Sequence, residues 1–454
     1  MMDLKHRHIV VFGLGRSGLA AAELLLAKGA RVTVTDSRGP GDLGEAVAAA
    51  EELGCALDLG GHDAALLERA DLIVISPGVP HTIAPLMAAR QRGVAVIGEV
   101  ELAARFITAP IAAVTGTNGK TTTTELLGAM LKASGRATFV GGNIGNALSR
   151  CATSGERFEA VVAEISSFQL DTTERFRPRV GVLLNISADH LDRYDGLAGY
   201  AASKARLWAR MGDGDYLVYN GMDAAVVDLV AGAPGTRLPF RNAGSQEDPS
   251  PGALIRAEQI ELRLEENGAT TLDLSRTRLL GPHNRENIAA AALTALALGG
   301  TPAGIQRAVD GFAPLPHRIE PVGTVGGVTY VNDTKATNVD ATVRALACFE
   351  GPVALILGGR NKDNDFRQLR AAVRAGARLV IANGECREEI AAALAGCGVP
   401  VEVVATQAEA LDTARRAAAP GWTVLLSPAC ASFDQFDNYA ARGAAFRATV
   451  EGWT

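Results

Sequence analysis

Residues Ala112 to Leu127 read AAVTGTNGKTTTTELL. An apolar, strand-like run gives way at Gly116 to a glycine-rich turn, and the turn opens a threonine-rich helix. Glycines let backbone N–H groups turn toward an anion, and a helix N-terminus adds its positive end. Lys120 is placed to reach the outer phosphates of a nucleoside triphosphate, and the Thr121 hydroxyl to bind Mg²⁺. The strict pattern G-x-x-x-x-G-K-[ST] is not met, because Val114 stands at its first glycine. The plain alternative is a Gly-rich strand–helix turn. A Gly-Lys-Thr-Thr cluster directly after a strand weighs against it.

Other residues gather at similar places. Gly13-x-Gly15-x-x-Gly18 follows a strand and opens a helix, and Asp36 ends the next strand. Such a turn sets a diphosphate on a helix N-terminus, or merely lets a helix pack closely. Glu164 ends the apolar run VVAE, where an acid commonly holds Mg²⁺. His190, in NISADHLDRYDG, lies beyond another strand. A lone histidine is more often structural, but that location favours a site. Lys204, in YAASKARLW, reads from its chemistry as a solvated helix lysine. Asp333, Lys335 and Thr337 lie just past a strand in YVNDTKATN, Lys362 after a Gly-Gly turn, and Ser432 after TVLLSPA. Ligands of open parallel sheets bind beyond the carboxyl ends of the strands. Basic and hydroxyl groups collected there suit a carboxylate-bearing substrate.

The elements that must position these groups are short β-rich runs alternating with helical patterns. In the first third they are HIVVFG, RVTVTD, LIVISPG and VAVIGE; in the middle IAAVTG, AVVAEI, VGVLLNI and DYLVYN; in the last third VTYVND, VALILGG, RLVIANG, VEVVAT and TVLLSPA. This alternation predicts an α/β protein with parallel sheets covered by helices. A length of 454 residues suggests about three domains, with boundaries expected at 1–98, 99–313 and 314–454. Arg241 to Gly252 is polar and turn-rich and reads as a surface loop. GPHNRENIAAAALTALAL starts a long buried helix, too short and Ala-rich to span a membrane.

A formal net charge of −6, with 21% charged residues, argues against general binding to nucleic acid or an anionic membrane. The N-terminal apolar run breaks at Gly13 and Gly15 with no small-residue cleavage site, unlike a signal peptide. Six scattered cysteines read as reduced thiols, and a cytoplasmic location is expected.

Together these motifs resemble the ATP-dependent Mur ligases of bacterial cell-wall synthesis, over a likeness that runs from Gly13 to Tyr439. TGTNGKTT is shared across that superfamily, including the folate polyglutamate ligases. LPHRIE, VNDTKATN and SPACASFDQF look specific to the branch that adds D-glutamate. The folate ligases carry Gly-Ser after the loop lysine, where Thr121 and Thr122 stand here. The resemblance implies a Rossmann-like N-terminal domain, a central P-loop-type ATPase domain and a Rossmann-like C-terminal domain. The first would hold the UDP portion of UDP-N-acetylmuramoyl-L-alanine near Arg16, Ser17, Asp36, Ser37, Arg38 and Gly78, with Asn143 on that substrate. ATP would lie on Gly116, Thr117, Asn118, Gly119, Lys120, Thr121, Thr122 and Thr123, with Asn287, Arg318 and Asp333. One Mg²⁺ would sit on Thr121 and Glu164, a second on His190. D-Glutamate would be surrounded by Lys335, Thr337, Lys362, Ser432, Phe433 and Tyr439. Some relatives carry an acid where Arg360 stands, so that position has no assigned role. The resemblance also turns Lys204 into a carbamate that holds the second Mg²⁺. A monomer is expected.

The implied reaction makes an acyl phosphate from a carboxylate and ATP, which an amine then attacks. Lys120, His190, Lys204, Lys335 and Lys362 are its candidate catalytic groups. A metal-bound imidazole cannot take a proton, so His190 is preferred as a ligand and the base stays unassigned. ATP on the central domain and the amino acid on the last must meet, which implies domain closure. The alternatives are a folate-type ligase, an NAD-dependent oxidoreductase using the Gly13 turn, and a non-enzymatic nucleotide switch. The oxidoreductase leaves Gly116 to Thr121 unexplained, and the switch leaves the polar cluster of the last third.

Overall fold

The structure is a computed structural model that describes residues 2–190, 193–244, 251–265 and 268–453. Three sheets follow one another along the chain. Each is built where an apolar run is followed by a glycine-rich turn and a helix.

The first sheet has five parallel strands, in the spatial order Ala56–Leu59, Arg31–Asp36, His8–Phe12, Leu72–Ile75 and Val96–Gly98. Ile9, Val10, Val11, Val34 and Ile73 are fully buried, because helices cover both faces. The helix Arg16–Ala27 starts on the Gly13 turn. A Cβ at Gly18 would stand 2.0 Å from the Gly13 carbonyl oxygen, so only glycine lets the helix pack there.

A short helix, Glu99–Ala104, leads into the central domain. Its buried Glu101 accepts the backbone N–H groups of Glu174, Arg175 and Phe176 at 2.8–2.9 Å, and Arg105 Nε at 2.8 Å. The exit of the first sheet is thereby clamped to the second.

Among the described residues the central sheet has nine strands. In space they run Thr270–Asp273, Gln259–Arg263, Gly252–Ile255, Thr236–Asn242, Tyr216–Asn220, Val180–Leu183, Ile111–Thr115, Ala160–Glu164 and Thr138–Gly142. Seven are parallel, and the first two form an antiparallel edge. On one face the helices Lys120–Ala133 and Pro282–Ala297 bury Leu127, Met130, Ile288 and Leu293; on the other Leu170, Leu207 and Trp208 close the core. The segment Arg241 to Gly252, expected as a loop, begins and ends in strands, and its residues 245–250 lie outside the described residues.

The last sheet runs Glu320–Val325, Val328–Asn332, Thr423–Leu426, Val353–Gly358, Ala377–Asn383 and Val401–Val403, parallel except for its first strand. The architecture is thus a three-domain α/β one. Among the described residues no helix is long and apolar enough to cross a membrane. All six cysteines are free, and the Sγ atoms of Cys386 and Cys430 approach to 3.2 Å despite their distance in sequence.

Candidate active site

The phosphate loop links the strand Ile111–Thr115 to the helix Lys120–Ala133. Gly119 caps the helix at φ +87°, and a Cβ there would lie 2.4 Å from Asn287 Oδ1. Lys120 Nζ folds back to the carbonyls of Gly116 (2.8 Å) and Thr117 (2.7 Å). Burial lowers its pKa, and Glu164 and Asp189 oppose that shift. The Asn118 N–H donates to Asn185 Oδ1 at 2.8 Å, and the Thr117 hydroxyl to the Ser187 carbonyl at 3.2 Å. Thr123 is fully buried and donates to Asn287 Oδ1 at 3.2 Å, so its side chain holds Asn287 in place. Thr121 and Thr122 open the helix on either side of the loop's mouth.

Glu164 ends its strand 2% exposed. Its Oε1 accepts Asn143 Nδ2 at 2.8 Å, while its Oε2 is buried with no partner. A buried carboxylate oxygen without a donor is costly unless a cation meets it. Lys204 is 1% exposed rather than solvated. Its Nζ donates to the Gly116 carbonyl at 3.0 Å and stands 4.3 Å from the centre of the Tyr200 ring. Burial, then the nearby Lys120, holds its pKa well below the usual lysine range. His190 adopts φ +55°, packs edge-on to Phe168 at 5.0 Å, and brings Nε2 to 3.8 Å from Asp189 Oδ2.

The last domain closes onto this loop. Arg318 Nη2 donates to the Thr121 hydroxyl at 2.8 Å. Asp333 accepts the Ile319 N–H (3.2 Å) and the Ser427 hydroxyl (2.9 Å). Its burial pushes its pKa up to about 7 against the pull of those bonds and of Arg318. Lys335 Nζ lies 3.7 Å from the centre of the Tyr439 ring, and burial together with Arg318 pulls its pKa down to about 8. Thr337, Lys362, Ser432 and Phe433 complete the wall of one cavity of about 830 Å³, which Lys120, Thr121, Glu164, His190 and Lys204 also line. Ser432 is buried, whereas Phe433 is 58% exposed at the mouth.

A second cavity of about 490 Å³ lies at the first sheet, lined by Arg16, Ser17, Asp36, Ser37, Arg38 and Gly78, with Asn143. The Asp36 carboxylate accepts the Leu14 N–H at 2.8 Å and Arg38 Nη2 at 2.8 Å; led by the Arg38 hydrogen bond, these hold its pKa down to about 2. Arg16 and Asn143 line both cavities, which are therefore neighbours. A third, narrow cavity of about 90 Å³ lies behind Gly119, against His283, Asn284, Asn287, Arg318 and Asp333.

Sequence reasoning passed over several residues of this site. Asn118 Nδ2 donates to Asp340 Oδ2 at 2.8 Å, and Asn338 Nδ2 to Asp189 Oδ2 at 3.3 Å, so two further pairs bridge the central and last domains. Asp340 sits in the first turn of the helix Val339–Leu346, where an acid is a routine helix-start residue and gives no signal of its own. Arg360, left without a role, pairs with Glu385 at 2.7 Å on the surface.

The donor set fits magnesium. Among the described residues no group of three or more His, Cys, Asp or Glu could hold a metal. Mg²⁺ needs no such cage, since it keeps waters and takes one or two carboxylates plus phosphate oxygens. The orphaned Glu164 Oε2 with the Thr121 hydroxyl meets that need.

Three family models match the chain in order. They describe a Mur ligase MurD-like N-terminal domain over residues 7–98, a Mur ligase middle domain over 114–295, and a Mur ligase glutamate ligase domain over 317–430. A relative from Desulfosudis oleivorans, named UDP-N-acetylmuramoylalanine--D-glutamate ligase, is 48% identical over 97% of this chain and 95% of its own. The chain belongs to the Mur ligase family.

A second relative of the same name, from Desulfatibacillum aliphaticivorans, is 48% identical over 98% of both chains. Among solved structures, a pseudomurein peptide ligase type C from Methanothermus fervidus superposes with a TM-score of 0.62 at 19% identity. It covers 99% of this Mur ligase and all of that chain. UDP-N-acetylmuramate-alanine ligase from Thermotoga maritima gives 0.60 at 18%, with the same coverage. At such identities the likeness is one of fold. Mur ligases are ATP-dependent enzymes that form amide bonds in peptidoglycan precursor synthesis, usually with Mg²⁺.

Proposed function

We propose that this Mur ligase joins D-glutamate to UDP-N-acetylmuramoyl-L-alanine at the expense of ATP, through an acyl phosphate, releasing ADP and phosphate. The observation that carries the reading is the single cavity in which the phosphate-loop side chains Lys120 and Thr121 face Lys335, Lys362 and Ser432 of the last domain. The high identity to relatives bearing that name selects the substrates. The enzyme acts as a monomer in the cytoplasm, divided near residues 98 and 313.

A carboxylate does not accept an amine at neutral pH, because oxide is a poor leaving group. The lactyl-alanine carboxylate, delivered from the first-sheet cavity past Arg16 and Asn143, attacks the γ-phosphate of ATP. The non-bridging oxygens of that phosphate come under Lys120 and Arg318, whose charges offset the meeting of two anions. Asn287 and Asp333 flank the nucleoside side. Lys335, Lys362, Thr337 and Ser432 hold the carboxylates of D-glutamate, with Phe433 and Tyr439 at its edges. Its amine then attacks the acyl carbon, and the tetrahedral intermediate collapses to the amide as phosphate leaves. Closure of the last domain over Thr121 keeps water from the acyl phosphate.

Thr121 and Glu164 would hold one Mg²⁺, and His190 with Lys204 a second, which when bound screen the phosphate charges. Lys204 suits carbamylation: burial lowers its pKa and so favours the neutral amine, the form that adds to CO₂ with loss of one proton. The product is an anion on the cavity wall.

Phosphate release tests the reading. It is expected with UDP-N-acetylmuramoyl-L-alanine plus D-glutamate, and not with L-glutamate or with a pteroate acceptor. Release with pteroate in place of the sugar nucleotide would assign the enzyme to the folate-type branch.

A further inference from the structure

Arg442 lies just beyond the first turn of the closing helix, Tyr439–Glu451, and is 3% exposed. Its guanidinium donates from Nε to the Thr334 hydroxyl (2.8 Å), from Nη2 to the carbonyls of Thr334 (2.9 Å) and Cys430 (3.0 Å), and from Nη1 to the carbonyl of Gly358 (3.4 Å). Thr334 and Cys430 belong to the loops after the adjacent strands Val328–Asn332 and Thr423–Leu426, and Gly358 is the last residue of the next strand, Val353–Gly358. Thr334 directly precedes Lys335, Cys430 is two residues before Ser432, and Gly358 is four before Lys362. One planar fork therefore ties together two loops and a strand end that lead into the amino-acid-binding groups.

Among the described residues no carboxylate is one of its hydrogen-bond partners. The acid nearest in influence, Asp434, instead accepts the Glu385 N–H at 3.0 Å. Burying a cation against neutral dipoles alone is unfavourable, and a cation near a helix N-terminus also opposes the helix dipole. Burial lowers its pKa only to about 10, so the charge persists at neutral pH. A fork of carbonyl bonds could be replaced by apolar packing, whereas a retained charge behind an anion-binding wall has an electrostatic use.

We propose that Arg442 is a positioning and specificity residue for the amino-acid substrate. It sets the register of Lys335, Lys362 and Ser432, and its buried charge favours an amino acid with two carboxylates over one with a neutral side chain. This rests on the reading of D-glutamate as the incoming amine.

The test compares wild type, Arg442→Lys and Arg442→Met in steady-state ligation, varying D-glutamate, its neutral isostere D-glutamine, and ATP. For Arg442→Met the KM for D-glutamate is expected to rise about tenfold or more, as when one charge-assisted contact of Lys335, Lys362 or Ser432 is misplaced. The KM for ATP should stay within about twofold, and the preference for D-glutamate over D-glutamine should narrow. Arg442→Lys, which keeps the charge without the fork, should retain most of that preference while losing kcat. An unchanged preference in Arg442→Met, or a parallel loss of kcat, both KM values and melting temperature in both variants, would overturn the inference. Failure of wild type to use D-glutamate would instead overturn the reading beneath it.

Discussion

The Arg318 guanidinium reaches from the last domain to the hydroxyl of Thr121, 2.8 Å away in the first turn after the phosphate loop. A group that can bind a metal and a group that can offset phosphate charge are thus joined across a domain boundary. Replacing Arg318 by Ala should lower kcat by about 10²-fold, as the loss of one preorganised charge typically does. Arg318→Lys should rescue only part, because a point charge lacks the planar fork. Steady-state rates with all three substrates saturating check this; full activity in Arg318→Ala would mean that the contact is incidental.

Lys204 carries the second prediction. Its amine is buried against the Gly116 carbonyl, with its pKa well below the lysine range. Lys204→Ala should be nearly inactive and should regain part of its rate with a short carboxylic acid such as acetate, which supplies the missing anion. Wild-type protein kept under bicarbonate should weigh about 44 Da more than its sequence, the mass of one CO₂ added to a neutral amine. An alanine variant at full rate would remove Lys204 from the mechanism.

Lys335 predicts a pH limb. Burial and Arg318 bring its pKa down to about 8, so the cation proposed to meet the anionic substrate is lost as pH rises through that value. The kcat/KM for D-glutamate, which reports the free enzyme, should fall above about pH 8. Lys335→Arg, charged at all working pH values, should move that limb upward even if its maximum is lower. An identical alkaline limb in both proteins would show that another group titrates.

The fourth prediction concerns Glu164, whose Oε1 is held by Asn143 at 2.8 Å while Oε2 is left for a cation. Glu164→Gln keeps the Asn143 contact and removes the charge. It should raise the Mg²⁺ concentration for half-maximal rate by about tenfold or more, with the melting temperature unchanged or higher, since a buried unpaired anion is gone. An unaltered Mg²⁺ dependence would place the metal elsewhere.

The legible parts of this fold share a physical cause. Strands in the middle of a covered parallel sheet are apolar on both faces, so His8–Phe12, Ile111–Thr115 and Val353–Gly358 stand out as continuous runs. Edge strands such as Ala56–Leu59, Thr270–Asp273 and Glu320–Val325 are short or partly polar, and nothing local distinguishes them from loops. The candidate site was legible where a residue ends a strand, as Glu164 does, or follows one, as Lys335 and Ser432 do. Lys204 was not, because burial of a helix lysine depends on which sheet the helix faces. Asp340 and Arg442 lie on ordinary helix turns, and their partners Asn118 and Gly358 are 222 and 84 residues away. Pairings of that range exist only once the sheets have assembled.

The central claim is that the carboxylate of the sugar-nucleotide substrate becomes a leaving group by taking the γ-phosphate of ATP. Ligation with substrate labelled by ¹⁸O in that carboxylate tests it most directly. One labelled oxygen should appear in each inorganic phosphate released, because the C–O bond breaks when the amine displaces it. Release of unlabelled phosphate alongside normal amide formation would contradict the acyl phosphate and the account built on it.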